Sequence, residues 1–108
     1  SMSAARSAYQ DGLEAATVDA DRAAFYNRIG LTYSVEQATY ADAAEQFTLA
    51  IELDPTQAIY FRNRGYVSYW QGEALYPQAI ADFERFVELA GADADAETVE
   101  LLATLRGD

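Results

Sequence analysis

One pattern of glycine, alanine and aromatic residues occurs twice in this chain, about 35 residues apart. Gly30 recurs as Gly65, and the residues that follow each glycine recur with it. The matched residues are Tyr40, Ala43, Phe47, Ile51, Glu52 and Leu53 in the first copy, and Tyr76, Ala79, Phe83, Val87, Glu88 and Leu89 in the second. A fixed period in the thirties is typical of helical repeat arrays, whose units stack to bury a shared core. The period therefore predicts an all-α fold, and it favours a binding function over catalysis.

Helical periodicity and end signals predict six helices. They span about residues 4–17, 21–35, 40–53, 56–71, 77–90 and 95–106. Asp19 or Asp21 is expected to cap the second helix, and Pro55 to follow the end of the third. Pro77 suits the first turn of the fifth helix, where its missing N–H is not needed, and Gly91 suits that helix's end. No alternating run of β-branched residues competes with this assignment.

The order of residue types within each copy narrows the fold further. In the first copy the pattern consists of Tyr26, Ile29, Gly30, Tyr33, Tyr40, Ala43, Phe47, Ala50 and Pro55. In the second copy it consists of Phe61, Gly65, Tyr76, Ala79 and Phe83. This order resembles the tetratricopeptide repeat (TPR) family, in which each unit is a helix-turn-helix. The resemblance implies a right-handed α-α superhelix of helical hairpins, in which small residues allow close helix approach and aromatic residues fill the gaps.

The second copy departs from the family pattern at four positions. Arg64, Ser68, Phe86 and Gly91 stand where a leucine, a tyrosine, an alanine and a proline are usual. The loops around residues 36–39 and 72–75 are also longer than the family's. These departures predict a superhelical geometry less regular than the family's, with the helical fold retained.

The resemblance covers about residues 4–106 and implies a single TPR-like domain over residues 1–108. Within it we expect a degenerate half repeat at 4–20, repeat 1 at 21–55, repeat 2 at 56–91 and a capping helix at 94–106. The half repeat is indicated by Ala8, Gly12 and Ala15, which form a small-residue stripe on one helical face. The capping helix carries Asp95 at its start, where a carboxylate can accept a hydrogen bond from the first turn.

In the family that the chain resembles, the first helix of each repeat lines a concave groove. The faces that carry Gly30 and Gly65 are already assigned to packing, so helical periodicity leaves the opposite faces for a ligand. The residues that we expect to line a peptide-binding groove are Asn27, Arg28, Leu31, Val35, Ile59, Arg62, Asn63, Tyr66 and Trp70.

Charge is distributed unevenly along the chain and supports this surface. No acidic residue occurs at positions 22–35 or 55–72, and each of these segments carries two arginines. Arginine pairs well with carboxylates, and exposed tyrosine and tryptophan are common at the centres of interfaces. The pattern predicts that Arg28 and Arg62 hold a peptide segment that is acidic or ends in a free carboxylate. The alternative is that these arginines pair with acids on neighbouring helices and that the aromatic residues belong partly to the core.

Composition argues against an enzyme. The chain has no cysteine and no histidine, which removes thiol nucleophiles, thiolate metal sites and imidazole bases. It shows neither a phosphate-binding loop nor a constellation of carboxylates suited to acid–base chemistry. We therefore expect no enzymatic activity, no cofactor and no metal site.

Charge and hydropathy disfavour two further classes of partner. Eighteen acidic residues against 7 basic ones give a net charge of −11, and nucleic-acid binding needs a basic footprint. No apolar run approaches the roughly 20 residues that a membrane helix needs, and no signal-peptide pattern opens the chain. We expect no membrane insertion and, by default, a cytoplasmic location.

Two readings compete with a groove for a protein or peptide partner. The chain could instead be a structural module that associates with itself into a homo-oligomer, with the small residues of the first helix accepting a neighbour's helix. It could also be one segment of a longer repeat array with no separate function.

Overall fold

The computed structural model of the protein describes all residues 1–108 and contains six α-helices and no strand. The helices are α1 (Met2–Ala15), α2 (Asp19–Tyr33), α3 (Tyr40–Leu53), α4 (Ala58–Trp70), α5 (Tyr76–Ala90) and α6 (Ala96–Arg106). Short 3₁₀ turns at Gln37–Thr39, Glu73–Leu75 and Gly91–Asp93 precede α3, α5 and α6. The predicted all-α class with six helices is therefore confirmed. None of the helices has the length and apolar character needed to cross a lipid bilayer.

The largest differences from the predicted boundaries lie in the first two helices. The N-terminal helix begins earlier than expected, at Met2, and its first turn is capped by Ser1, whose side chain accepts a hydrogen bond from the Ala4 amide. The expected aspartate cap of α2 is wrong, because Val18 occupies the capping position and makes no side-chain cap. Asp19 and Asp21 lie in the first turn instead, where their charge still favours the positive end of the helix dipole.

Each helix packs mainly against its neighbours in the chain, and most extensively within the pairs α2–α3 and α4–α5. The contacts run from α1 to α2, α2 to α3, α3 to α4, α4 to α5 and α5 to α6. The molecule measures 45 × 29 × 19 Å as a result. Among helices two apart in the chain, α2 and α4 contribute Ala23 and Tyr60 to one buried cluster and share the Asn27–Asn63 hydrogen bond, and α4 and α6 are joined by polar side chains described below.

The repeated glycines are explained by a close helix contact inside each hairpin. A Cβ atom placed on Gly30 would lie 2.5 Å from the ring of Phe47, and one placed on Gly65 would lie 2.6 Å from the ring of Phe83. Both phenylalanines are completely buried. Any side chain at these glycines would force the rings out of their places, since cores are packed almost without free space.

The residue before each glycine is chemically different in the two hairpins. In α2–α3 it is the buried Ile29, and in α4–α5 it is Arg64. Arg64 donates two hydrogen bonds, of 2.8 and 2.9 Å, to the carboxylate of Asp82, which is itself buried. Thr48 accepts a third hydrogen bond from Arg64, and Gln78 donates one to Asp82. The departure from leucine at position 64 is thus matched by a partner on α5.

Candidate functional site

An uneven distribution of exposed apolar side chains marks one surface of the molecule. Eight large hydrophobic residues are exposed, and four of them line two adjoining cavities beside α2. These four are Met2, Leu31, Val35 and Trp70. Single exposed apolar residues are ordinary, but a contiguous group of them is typical of an interaction surface.

The first cavity, which we call the Leu31–Trp70 pocket, lies between α2 and α4 at the start of α6. It has a volume of about 240 Å³ and is lined by Leu31, Ser34, Arg62, Asn63, Tyr66, Val67, Trp70 and Glu97. Small-molecule sites usually measure roughly 300–1,000 Å³. A pocket below that range and open to solvent suits one large side chain of a partner better than a whole metabolite.

The second cavity, the Arg28 pocket, lies between α1 and α2 and has a volume of about 250 Å³. It is lined by Met2, Ala5, Tyr9, Arg28, Leu31, Thr32 and Val35. Leu31 belongs to both pockets, so an extended segment that crosses this residue reaches both of them. We refer to these two cavities together as the groove.

Aromatic rings form one wall of the Leu31–Trp70 pocket. Trp70 is 46% exposed, and its ring centroid lies 5.4 Å from that of Tyr40 and 5.6 Å from that of Tyr66. Tyr66 in turn packs edge-on against the buried Phe83 at 5.0 Å. These neighbours hold the tryptophan in place while leaving much of it open to solvent, which is the arrangement expected of an interface anchor.

The two groove arginines have different surroundings. The Nε of Arg62 lies 3.1 Å from a carboxylate oxygen of Asp95 and donates a hydrogen bond to the Thr98 hydroxyl. Arg28 forms no ion pair within the chain, and its guanidinium lies 5.2 Å from the Phe25 ring centroid. The pairing of Arg62 with a neighbouring helix follows the alternative left open by the sequence, whereas Arg28 remains available to a ligand.

Asp95 connects α6 to the groove and caps that helix, as predicted. Its carboxylate accepts hydrogen bonds from the Thr98 amide and hydroxyl. Partial burial by itself raises the pKa of Asp95, but these hydrogen bonds and the charge of Arg62 outweigh it and hold the pKa below the ordinary 3.8. The carboxylate is therefore charged at neutral pH and neutralises part of Arg62's field at the pocket.

A neutral polar contact joins α2 and α4. The Nδ2 of Asn63 donates a 2.8 Å hydrogen bond to the Oδ1 of Asn27. Asn27 lies three residues before Gly30 and Asn63 two residues before Gly65, so the bond joins offset positions of α2 and α4. Asn27 acts here through Asn63 and does not itself line either pocket.

Most of the residues expected from the sequence are brought together. Five of the expected nine line the Leu31–Trp70 pocket, namely Leu31, Arg62, Asn63, Tyr66 and Trp70. Arg28 and Val35 line the Arg28 pocket. Ile59 is exposed on α4 but lines neither cavity.

Glu97 is the most consequential groove residue that sequence reasoning missed. The helix that carries it was interpreted only as a cap, yet its first turn reaches the Leu31–Trp70 pocket. The α1 residues of the Arg28 pocket were missed for a similar reason, because that helix was interpreted as a half repeat whose small residues pack or accept a neighbour's helix. The signal available for Glu97 was the absence of acids at positions 22–35 and 55–72, which makes any acid brought to this surface from elsewhere electrostatically important.

Comparison with known families and curated proteins finds no relative of this chain. The chain matches no protein-family model, and no curated protein is similar enough in sequence to count as related. No group of three or more carboxylates lies close enough together to hold a metal ion.

Proposed function

We propose that this chain is a TPR-type protein-interaction module, a scaffold or adaptor, that binds an extended peptide segment of another protein in the groove. The observation that carries the proposal is the concentration of exposed apolar side chains on the two adjoining pockets. Hairpins that share one glycine–phenylalanine contact, in a row of sequentially packed helices, support assignment to this class of repeat.

The proposed preference for an acidic group or free carboxylate rests on Arg28. This side chain is exposed, lines a pocket and has no acid partner in the chain. Arg62 contributes less to such a preference, because Asp95 already offsets its charge. A carboxylate of the peptide would therefore lie on the α1 side of Leu31.

The proposal is tested by selecting a displayed library of random dodecapeptides on the immobilised chain. Enriched peptides are then synthesised, and their Kd values are measured for the wild type, Trp70→Ala and the control Leu75→Ala. Leu75 is also an exposed apolar residue but lines neither pocket. Trp70→Ala should weaken binding at least about tenfold, as for an interface anchor, and Leu75→Ala should leave it unchanged.

Equal affinities for all three chains would contradict a groove at this place, provided that circular dichroism shows each variant folded. If no peptide is enriched and sedimentation equilibrium shows association of the chain with itself, the self-association alternative replaces the proposal. Substituting Arg28→Ala tests the finer claim, because it should weaken only those selected peptides that carry an acid.

A further inference from the structure

We infer that the Leu31–Trp70 pocket selects a cationic side chain, arginine or lysine, from the bound peptide. This inference rests on the proposed function and specifies its ligand. It concerns the charge that α6 brings to the pocket, which differs from the charge of the two helices that form its walls.

The charged groups at the Leu31–Trp70 pocket are mostly negative. Arg62 is the only basic residue that lines the pocket, and its Nε lies 3.1 Å from the carboxylate of Asp95. Glu97 lines the same pocket and has no hydrogen-bond or ion-pair partner within the chain. The pocket and its immediate rim therefore carry two carboxylates against one guanidinium, which favours a positive ligand group.

The aromatic wall of the pocket also suits a positively charged side chain. A cation held over the face of tryptophan or tyrosine is attracted by the negative face of the ring. Trp70 is 46% exposed, and it lies with Tyr66 in the same pocket as Glu97. The aliphatic stem of a lysine or arginine would also cover Leu31, while its charged end remained near solvent and near Glu97.

The electrostatic field of the whole molecule favours a cationic segment as well. A net charge of −11 attracts positively charged segments at long range and accelerates their encounter with the surface. Because the two pockets share Leu31, the preferred segment carries a cationic residue on the α4 side of Leu31 and an acidic group on the Arg28 side.

The test uses three pools of fluorescein-labelled, amidated nonapeptides that are random except at the central residue. That residue is arginine, norleucine or glutamate, so the pools differ in one side chain, whose end group is positive, neutral or negative. Fluorescence polarisation at low salt gives the apparent Kd for the wild type, Glu97→Gln and Glu100→Gln. Glu100 is an exposed acid on the same helix that does not line the pocket, so both variants change the net charge equally.

The arginine pool should bind the wild type about tenfold more tightly than the other two pools, which is the combined effect of one partly exposed ion pair and one cation–π contact. Glu97→Gln should reduce that advantage to about threefold without altering the norleucine pool, because the cation–π contact remains, and Glu100→Gln should preserve it. An advantage that Glu97→Gln leaves undiminished, or tightest binding of the glutamate pool, would overturn the inference and leave the groove intact. If no pool binds, and the nuclear magnetic resonance signal of the Trp70 indole N–H does not shift when peptide is added, the proposed function is contradicted. The inference then fails with it.

Discussion

The hairpin α2–α3 and the hairpin α4–α5 share the glycine–phenylalanine contact but differ in the residue before the glycine. In the first hairpin that residue is a buried isoleucine, and in the second it is Arg64 held by Asp82. The space at the two glycines is nearly the same, because a Cβ atom placed on Gly30 would lie 2.5 Å from the Phe47 ring and one placed on Gly65 would lie 2.6 Å from the Phe83 ring. The comparison indicates that steric fit at the glycine sets the hairpin geometry, whereas the neighbouring position accepts apolar or charged chemistry if every polar group finds a partner.

The largest expected effect tests the shared part of the comparison. Phe47→Ala and Phe83→Ala should each lower the free energy of unfolding by about 3–5 kcal/mol, because each leaves a cavity beside a glycine that cannot fill it. Urea unfolding followed by circular dichroism measures both losses. Losses that differ by more than about 2 kcal/mol would show that the two contacts are not equivalent.

The second-largest expected effect concerns the position before the glycine, where the two hairpins differ. Asp82→Ala should cost about 3 kcal/mol, because it leaves the largely buried guanidinium of Arg64 without its partner. The double variant Arg64→Ile, Asp82→Gln introduces the residues that the first hairpin has at the matching positions 29 and 46. It should unfold within about 1 kcal/mol of the wild type, since a buried ion pair can be replaced by uncharged residues of similar volume at little net cost and the first hairpin already accepts these two residues.

If the double variant is as unstable as Asp82→Ala alone, the two hairpins are not interchangeable at this position. We expect the double variant to be tolerated, because the two side chains that lose a hydrogen-bond partner stay satisfied. Thr48 retains a hydrogen bond to the Ala44 carbonyl, and Gln78 is exposed to solvent.

A smaller effect concerns the glycines themselves. Gly30→Ala should destabilise the chain by about 1–2 kcal/mol, because overpacking against Phe47 outweighs the better helix propensity of alanine. Combining it with Phe47→Leu should give less than the sum of the two single losses, as thermal or urea unfolding would measure. A neutral or stabilising Gly30→Ala would mean that the ring moves aside freely and that the glycine is not required for packing.

The smallest effect distinguishes the links between helices two apart. The first link is the neutral Asn63–Asn27 hydrogen bond, and the second is the charged contact of Arg62 with Asp95. The pKa of Asp95 lies below its ordinary 3.8 in the folded chain, so its contribution is present above pH 3.8 and is lost as the pH falls through the lower folded value.

Asp95→Ala should accordingly reduce stability by about 1 kcal/mol at pH 7, the usual effect of losing a helix cap. The reduction should shrink as the pH falls below 3.8. Asn27→Ala serves as the control, because the loss it causes should not depend on the ionisation of this contact. Urea unfolding of both variants at several pH values makes the comparison, and a constant penalty for Asp95→Ala would contradict the charged link.

The sequence predicted the helices best where an end carries a local signal. The third helix was placed correctly at residues 40–53, and Pro77 lies in the first turn of the fifth helix as expected. Local signals could not find the partner of Arg64, because Asp82 lies on another helix and is one of 18 acids in the chain.

The residues of the candidate site also divide into those that local signals predict and those that depend on contacts between helices. Leu31 and Trp70 could be predicted from the periodicity of their own helices. Glu97 and the α1 side of the Arg28 pocket could not, since they reach the groove only through the packing of one helix against another.

The groove itself is tested most directly by nuclear magnetic resonance of the chain labelled with nitrogen-15 and titrated with a peptide from the library selection. Trp70 is the only tryptophan, so its indole N–H gives a single resonance inside the Leu31–Trp70 pocket. The account predicts a saturable shift of this resonance together with the backbone amides of Leu31 and Asn63. A peptide that binds while these resonances stay fixed and those of α3 or α5 move would contradict it.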